Sequence, residues 1–411
     1  MHMNQLIILG NGLDLSVKLE TRYEDFIDYL RGKIGDIDWK TEKGTYLSSI
    51  YNKYTSEPRF AEEYDFWLGW FLKIRKIKFK NNNLEWNDVE NQISYVLRYI
   101  EGYTQSDNFA GNMGNLLDNF MIVDRSALDQ TIDDYYEDWS HYLLDVGEVK
   151  DINEKIDIYD LLAKELTKFE QKFAQYLSDV VMSKERISKL IRKVPGKLYD
   201  RRKLLKNIIN DCDFSPENTQ ILNFNYTPIF RSEFGIDSDF EALESNIQYI
   251  HGSLKVNADG DKCIPDSVIF GIDDTSLINQ AGDEDKSSEE RLYKFGKTYR
   301  ILNSKEDASL DLEKKIDMIK FYGHSLNAAD YSYFQSIFDK VDLYGSNVKL
   351  CFYYGDFEKD DAKNKRAFMD RIYKLIETYG QNTFKNGLEI RGKNLLHKLI
   401  LEGRVKTYYI K

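Results

Sequence analysis

Short apolar runs separated by long amphipathic stretches are the main pattern of this chain, and they predict an α/β fold. Most of these runs are continuous rather than alternating, which is typical of parallel strands covered by helices on both faces. The predicted strands are residues 6–9, 221–224, 247–250, 268–270, 318–322, 348–354 and 405–410. We therefore expect a doubly wound, mostly parallel sheet.

A long helical region separates the first predicted strand from the second. No proline occurs between Pro58 and Pro195, and the apolar residues there recur at helical spacing. One stripe consists of Trp86, Val89, Ile93, Val96 or Leu97, and Ile100, and the other of Leu162, Leu166, Phe169, Phe173, Tyr176 and Val180. The pattern predicts a large, mainly helical insertion at residues 39–210 within a sheet domain formed by residues 1–38 and 211–411.

The composition predicts an ordered, cytoplasmic protein without a metal site. The formal net charge of -12 disfavours nucleic acid as a partner, although basic residues concentrate between Lys184 and Lys206. Cys212, Cys263 and Cys351 lie far apart, so neither a zinc site nor a disulfide framework is indicated, and this usage fits a reducing compartment. No signal peptide and no membrane-spanning run is found, so we expect no membrane contact.

The first predicted strand ends on a glycine turn, Gly10-Asn11-Gly12. Glycine admits backbone conformations closed to other residues, so the main chain can approach a ligand closely and point N–H groups at phosphate oxygens. A nucleotide is therefore the first ligand hypothesis. The alternative is a tight strand-to-helix turn without a ligand, since the dinucleotide fingerprint needs a small residue where this chain has Leu15.

Polar clusters follow three other predicted strands. These clusters are residues 223–227, 251–253 and 323–330. In a parallel sheet the carboxyl ends of the strands share one edge, and ligands bind at that edge. We therefore expect the three clusters and the glycine turn to line a single pocket.

Six short motifs occur in order along the chain. They are Gly10-Asn11-Gly12 with Asp14, Thr21-Arg22-Tyr23 with Phe26, Trp86-Asn87-Asp88-Val89-Glu90, Phe224-Asn225-Tyr226-Thr227, His251-Gly252, and Tyr322-Gly323-His324-Ser325-Leu326. Together they resemble the AbiH family of bacterial abortive-infection (phage-resistance) proteins. The resemblance extends from Leu6 to Asp330 and implies a function in phage defence.

The same motifs resemble, more distantly, the sirtuin-like NAD-binding domains of bacterial defence proteins. This resemblance implies a Rossmann-like fold with NAD as ligand or substrate, with His251 as the catalytic histidine and Asn225 as the motif asparagine. It also implies that Gly10 to Gly12 form the phosphate turn and Gly323 to Leu326 the ribose-binding turn. Asp14 and Thr227 depart from the pattern, and the missing zinc ribbon argues against lysine deacylation.

If NAD binds, these side chains predict hydrolysis of its bond between nicotinamide and ribose. His251 is the candidate general base, because an imidazole with an ordinary pKa of about 6.5 accepts a proton near neutrality. Asn225 would hold the attacking water or the carboxamide, Ser325 a ribose hydroxyl, and Asp14 or Asp330 another hydroxyl or the developing cation. The further residues predicted to contact NAD are Gly10, Asn11, Gly12, Arg22 at the pyrophosphate, Tyr226, Thr227, Gly323 and His324.

Several of these assignments have a structural alternative. Asp14 serves equally well as a helix cap, and Asn225 and Thr227 serve as turn formers that bond their own backbone. His251 can be a half-buried turn residue, and Arg22 can be a surface arginine. Both kinds of role stay open at this point.

The sequence thus predicts a phage-defence effector that binds NAD or a related nucleotide and hydrolyses the nicotinamide–ribose bond. The rival hypothesis is a non-catalytic nucleotide sensor that acts through a protein partner. A toxin that acts on nucleic acid through the basic residues between 184 and 206 is a third. The protein partners considered are a phage-derived or host trigger and a second copy of the chain.

Overall fold

In the computed structural model, the chain forms two compact units. The sheet unit comprises residues 1–21, 177–269 and 301–411, and the helical unit comprises residues 22–176 and 270–300. The residues that the structure describes are 4–35, 56–57, 63–78, 89–90, 92–94, 96–97, 158–183, 197–209, 218–229, 243, 245–256, 263–272, 292–303, 315–326, 330–355, 361–385 and 389–410.

Six parallel strands form the centre of the sheet unit. In chain order the strands of this unit are β1 (Gln5–Leu9), β2 (Thr219–Asn223), β3 (Ile247–Tyr249), β4 (Lys255–Val256), β5 (Cys263–Ile264), β6 (Met318–Tyr322), β7 (Lys349–Gly355) and β8 (Val405–Ile410). The large sheet has the order β3-β2-β1-β6-β7-β8, and every neighbouring pair is parallel. β4 and β5 form a separate antiparallel pair. The strand order therefore reverses direction between β1 and β6, next to the first strand of the chain.

The central strands of this sheet are buried because helices cover both faces, whereas the edge strands β3 and β8 are partly exposed. Successive residues of a strand point to opposite faces. Ile7 and Leu9 pack with Leu205 and Ile208 on one face, while Leu6 belongs to the core of the other face. α1 (Gly12–Ser16) and α5 (Lys197–Ile209) contribute to the first core. α7 (Tyr331–Lys340), α8 (Asp361–Thr383) and α10 (Leu395–Leu401) contribute to the second, and α9 (Glu389–Lys393) packs against α8.

The helical unit is built on an aromatic core. Its longer helices are α2 (Tyr23–Ile34), α3 (Phe66–Lys78) and α4 (Ile158–Tyr176), and α6 (Lys297–Asn303) begins within it. The ring of Tyr23 lies 5.3 Å from Phe71, 5.6 Å from Phe169 and 5.6 Å from Phe270, all in edge-on orientations. Such pairs stabilise a core beyond the area they bury.

The structure confirms an α/β protein with an all-parallel main sheet. It differs from the expected strands in the short pair β4–β5, which was not predicted, and in one predicted run. The run at residues 268–270 is not a strand: only Val268 forms a bridge, to Gly252. The two compact units also divide the chain differently from the predicted insertion, because α5 packs in the sheet unit and α2 lies in the helical unit. Trp86, Ile100 and residues 184–196 lie outside the described residues.

The second predicted stripe is buried along α4. Leu162, Leu166 and Phe169 are shielded from solvent, as is Phe173. Val180 is only half-buried, because a π-helical turn at Leu177–Val181 shifts the register of the chain. None of the helices among the described residues is long and apolar enough to cross a membrane.

Glu170 on α4 makes the stability of the protein sensitive to pH. Its carboxylate accepts the backbone N–H of Phe270 at 2.6 Å and pairs with Arg300. Burial nevertheless raises its pKa from 4.5 to about 7, with Arg300 and the Phe270 N–H offsetting part of that shift. Between these two values the folded protein holds more protons than the unfolded chain, so stability is lost as pH rises.

We therefore expect the free energy of unfolding to fall by about 3 kcal/mol at most as pH rises through this window, at about 1.4 kcal/mol for each pKa unit. Denaturant titrations at a pH inside the window and at one above it measure the change. In Glu170→Gln the same comparison should give a smaller fall, whatever the variant's overall stability. An equal fall in the two proteins would contradict this origin of the pH dependence.

Candidate functional site

The glycine turn after β1 packs directly against the turn after β6. The N–H of Gly10 donates to the carbonyl of Tyr322 at 3.0 Å, and the N–H of Gly12 donates to that of Gly323 at 2.8 Å. A Cβ atom on Gly10 would lie 2.4 Å from the His324 Cα, and one on Gly12 would lie 2.6 Å from the Gly323 Cα. The two N–H groups that the sequence suggested for a phosphate therefore already donate to carbonyls, and the glycines serve a close approach of two turns.

Asn225, after β2, is held against the same turn. Its Nδ2 donates to the Gly10 carbonyl at 3.0 Å, and its backbone N–H donates to Asn223 Oδ1 at 3.1 Å. The side chain is buried, and nothing among the described residues donates a hydrogen bond to its Oδ1 atom. A buried acceptor in this state is costly unless another group pairs with it. Asn225 Oδ1 can therefore accept an N–H or O–H of a ligand.

Asp14 and Thr227, both expected at the ligand, bind each other. The Thr227 hydroxyl donates to Asp14 Oδ2 at 2.5 Å, and each residue is 1% exposed. This bond joins the first turn of α1 to the loop after β2. It gives both residues a structural role that differs from the helix cap and the turn former considered as alternatives.

Thr227→Val should lower the free energy of unfolding by about 1.5–3 kcal/mol, the usual contribution of a hydrogen bond to a charged group. The valine keeps the shape of threonine but cannot donate to the buried carboxylate of Asp14. Thr227→Ser retains the hydroxyl and is the matched control. Denaturant unfolding of the three proteins measures the difference, and equal stability of Thr227→Val and Thr227→Ser would contradict a stabilising bond.

Two histidines face one carboxylate at this edge of the sheet. His251 Nε2 lies 3.5 Å from Asp330 Oδ1, and His324 Nε2 lies 3.4 Å from Asp330 Oδ2. Asp330 precedes α7 but its side chain makes no cap to that helix. Because the His324 backbone packs on Gly10, all of these groups lie on the glycine-turn side of the sheet. A carboxylate beside an imidazole orients the ring and stabilises its protonated form.

Aromatic rings shield the two imidazoles. The Phe224 ring lies edge-on 4.6 Å from the His324 ring and 5.4 Å from the His251 ring, and the Tyr333 ring lies 5.8 Å from His251. The Tyr226 hydroxyl is directed to the Ile269 carbonyl at 3.1 Å. Electrostatic interactions between the imidazoles and Asp330 are stronger in such surroundings than in water.

Tyr322 ends β6, packs in the core of the opposite face of the sheet, and does not supply a base. Burial raises its pKa to about 12, and a hydrogen bond with Ser16 offsets only part of the shift. The phenol therefore stays protonated at neutral pH. The candidate proton acceptors described around the glycine turn are therefore the imidazoles and the Asp330 carboxylate.

Asn11 and Ser325 contribute mainly to local structure. The Asn11 side chain accepts the Thr21 hydroxyl at 2.6 Å. Ser325 is exposed, and its carbonyl accepts a hydrogen bond from Arg371 at 3.3 Å. The exposed hydroxyl of Ser325 is open to a ligand, which keeps its predicted ribose contact as a prediction.

Arg22 belongs to the helical unit, where it precedes α2. Its backbone N–H donates to Asp25 Oδ2 at 3.2 Å at the start of that helix. The predicted contact of its side chain with a pyrophosphate stays a prediction. Asp88 of the third motif lies outside the described residues.

The sequence reasoning missed two residues of the cluster, Asn223 and Tyr333. Asn223 belongs to the polar cluster at residues 223–227. Its position two residues before Asn225 was the signal that its side chain accepts the Asn225 backbone N–H. Tyr333 lies one helical turn after Asp330, so the two side chains share a face of α7. Among the described residues, no group of three or more His, Cys, Asp or Glu side chains is arranged to hold a metal ion.

Comparison with known proteins identifies a family. The family model described as "Bacteriophage abortive infection AbiH" matches residues 6–354, which include the glycine turn and every residue of the cluster around Asp330. No curated protein matches the chain. No solved structure matches it either.

Proposed function

The chain belongs to the AbiH family of bacteriophage abortive infection proteins, and from that premise we propose that its sheet unit binds NAD and hydrolyses the bond between nicotinamide and ribose. The observation that carries this proposal is the His251–Asp330–His324 cluster beside the glycine turn. It combines a group that accepts a proton near neutral pH with a carboxylate that stabilises the protonated ring.

The topology supports a nucleotide as the ligand. Counting only the strands of the large sheet, the order is 3-2-1-4-5-6, which is the order of doubly wound dinucleotide-binding sheets. In such sheets the ligand lies beyond the carboxyl ends of the strands where the strand order reverses. Here that place lies between β1 and β6, where Gly10 meets Gly323.

The chemistry of the proposed step is a hydrolysis at the ribose C1′ atom. Water adds to C1′, the bond from C1′ to the nicotinamide nitrogen breaks, and nicotinamide leaves with the bonding electron pair. The proton of the water passes to the His251 imidazole, and Asp330 stabilises the resulting imidazolium. Asn225 Oδ1, a buried acceptor at the glycine turn, holds the water or the carboxamide N–H.

The proposal differs from the sirtuin-like resemblance in how the glycine turn acts. The Gly10 and Gly12 N–H groups donate to carbonyls of the protein, so they do not cradle a phosphate in this arrangement. Because Gly10 has no side chain, the backbone of His324 packs against it, and the Asn225 side chain donates to its carbonyl. Recognition of NAD then depends on the side chains around Asp330 and on the exposed Ser325.

The direct test is to incubate the pure protein with NAD and to measure nicotinamide release by chromatography and NAD binding by calorimetry. Release of nicotinamide is the expected result, in the presence or absence of phage lysate. Neither release nor binding under both conditions would refute the proposal. Nicotinamide riboside, which lacks the adenylate, serves as the comparison ligand for recognition of the nucleotide.

A non-catalytic nucleotide sensor is the second candidate function. It is favoured by the bond between Asp14 and Thr227, because two residues expected at the ligand are sequestered from it. A sensor would bind NAD without releasing nicotinamide, and His251→Ala would keep both its affinity for NAD and its protection of cells against phage. An enzyme loses protection in that variant while it keeps its fold.

A further inference from the structure

His324 is the second histidine that faces the Asp330 carboxylate, and its neutral ring is held in one tautomer. The backbone N–H of Leu326 donates to His324 Nδ1 at 3.0 Å, so that nitrogen keeps its lone pair. The proton of the neutral ring is therefore on Nε2, which faces Asp330 Oδ2. The neutral ring thus presents its Nε2–H to the carboxylate, 3.4 Å away.

The backbone after His324 adopts a conformation that places the Leu326 N–H on the imidazole. Leu326 has a φ of 57°, in the left-handed region that residues with a Cβ atom rarely adopt. Residues held in such conformations cluster at functional sites, where the surroundings enforce them. The side chain of Leu326 is buried in the core of the sheet unit, so packing and the bond to the imidazole hold this conformation together.

We propose that His324 is a positioning residue that holds Asp330 in the orientation facing His251. This inference rests on the proposed function, in which His251 is the base. One oxygen of the carboxylate is held by His324, which leaves the other directed at His251. Without His324, the contact at one carboxylate oxygen is lost, and Asp330 is less firmly oriented toward His251.

A pair of substitutions separates this role from a purely structural one. In His324→Gln, the side-chain Nε2 takes the place of the imidazole Nε2 and donates to Asp330. In His324→Asn, the side-chain Oδ1 takes the place of the imidazole Nδ1 and accepts the Leu326 N–H, but the N–H that residue 324 presents to Asp330 is lost. A positioning role predicts that the Gln variant keeps most of the turnover and that the Asn variant loses at least about tenfold in kcat/KM.

The opposite pattern, with an active Asn variant and an inactive Gln variant, would show that His324 serves only the turn and would overturn the proposal. Equal activity of both variants and the wild type would overturn it as well. Circular dichroism and thermal unfolding of each variant show whether a loss reflects unfolding.

A second readout does not depend on turnover. The chain has five histidines, so isotope labelling of histidine allows the His251 ring to be followed by NMR as pH is changed. The His251 titration midpoint should move in His324→Asn and in Asp330→Asn but stay near that of the wild type in His324→Gln. Asp330→Asn should also shift the ring resonances of His324 at a fixed pH, which provides the test if neither His324 variant folds.

The two readouts distinguish failure of this inference from failure of the proposed function. If no protein in the series releases nicotinamide, NAD hydrolysis is refuted, while the NMR titrations still determine whether His324 positions Asp330. If His251 titrates identically in all variants, the positioning role is refuted even when NAD is hydrolysed.

Discussion

NAD hydrolysis by His251→Ala is expected to be slower by about 10²–10⁴-fold, which is the contribution of a well-placed general base. Alanine removes the imidazole, so the attacking water keeps its proton. Asp330→Asn should lower the rate as well, because the neutral amide 3.5 Å from Nε2 no longer stabilises the imidazolium. The measurement is kcat and kcat/KM for nicotinamide release, and a base should lower both.

The control for this prediction is His397→Ala. His397 is exposed on α10, so this variant also loses one imidazole but leaves the cluster around Asp330 intact. It should hydrolyse NAD at the wild-type rate and protect cells against phage. If a folded His251→Ala protein hydrolyses NAD as fast as the His397→Ala protein, His251 is not the base.

Gly10→Ala should lower the free energy of unfolding by about 3–5 kcal/mol or prevent folding, since a Cβ clash with main-chain atoms is among the most damaging point changes. The new Cβ would lie 2.4 Å from His324 Cα, 2.6 Å from the Gly323 oxygen and 2.8 Å from the His324 nitrogen. These are all backbone atoms, so a side-chain rotation cannot relieve the contact. The turns after β1 and β6 must separate.

Two other glycines isolate this effect. Gly403 has a φ of 64° with open space around it, so Gly403→Ala reports the cost of a left-handed backbone alone, about 1–2 kcal/mol. Gly32 is exposed in α2 and has open space where a methyl group would be added, so Gly32→Ala should stabilise that helix by about 0.5–1 kcal/mol. Denaturant unfolding of the three variants ranks their free energies of unfolding, with Gly10→Ala expected to be the least stable. A Gly10→Ala protein as stable as Gly403→Ala would contradict the close approach of the turns.

The centre of the sheet was predictable because its strands are buried on both faces. The runs at 6–9 and 318–322 form β1 and β6, since a short continuous apolar segment between helical regions is typical of a parallel strand buried on both faces. The run at 268–270 shows the limit of this reasoning. It is as buried as a strand, but Phe270 packs on Tyr23 and Phe169 in the helical unit. Burial alone does not tell strand from loop.

The candidate site was predictable in place but not in its bonds. Strand ends of a parallel sheet meet at one edge, so His251, His324 and Asp330 could be assigned to one region, and the AbiH resemblance drawn from these motifs is confirmed by the family match. The hydrogen-bond partner of each side chain depends on contacts between residues that lie hundreds of positions apart in the sequence. The pairing of Thr227 with Asp14, and of Gly12 with Gly323, leaves no local trace in the sequence.

The position of β1 in the middle of the sheet has a consequence for synthesis of the protein. Ile7 pairs with Ile221 on one side and with Lys320 on the other. At the usual pace of a ribosome, the first of these partners emerges roughly 10 to 40 s after β1 does. During that time the apolar N-terminal segment has no strand to pair with, so the nascent chain is exposed to aggregation or needs a chaperone. A prematurely terminated product that stops before residue 324 also lacks His324 and Asp330, so it cannot assemble the cluster.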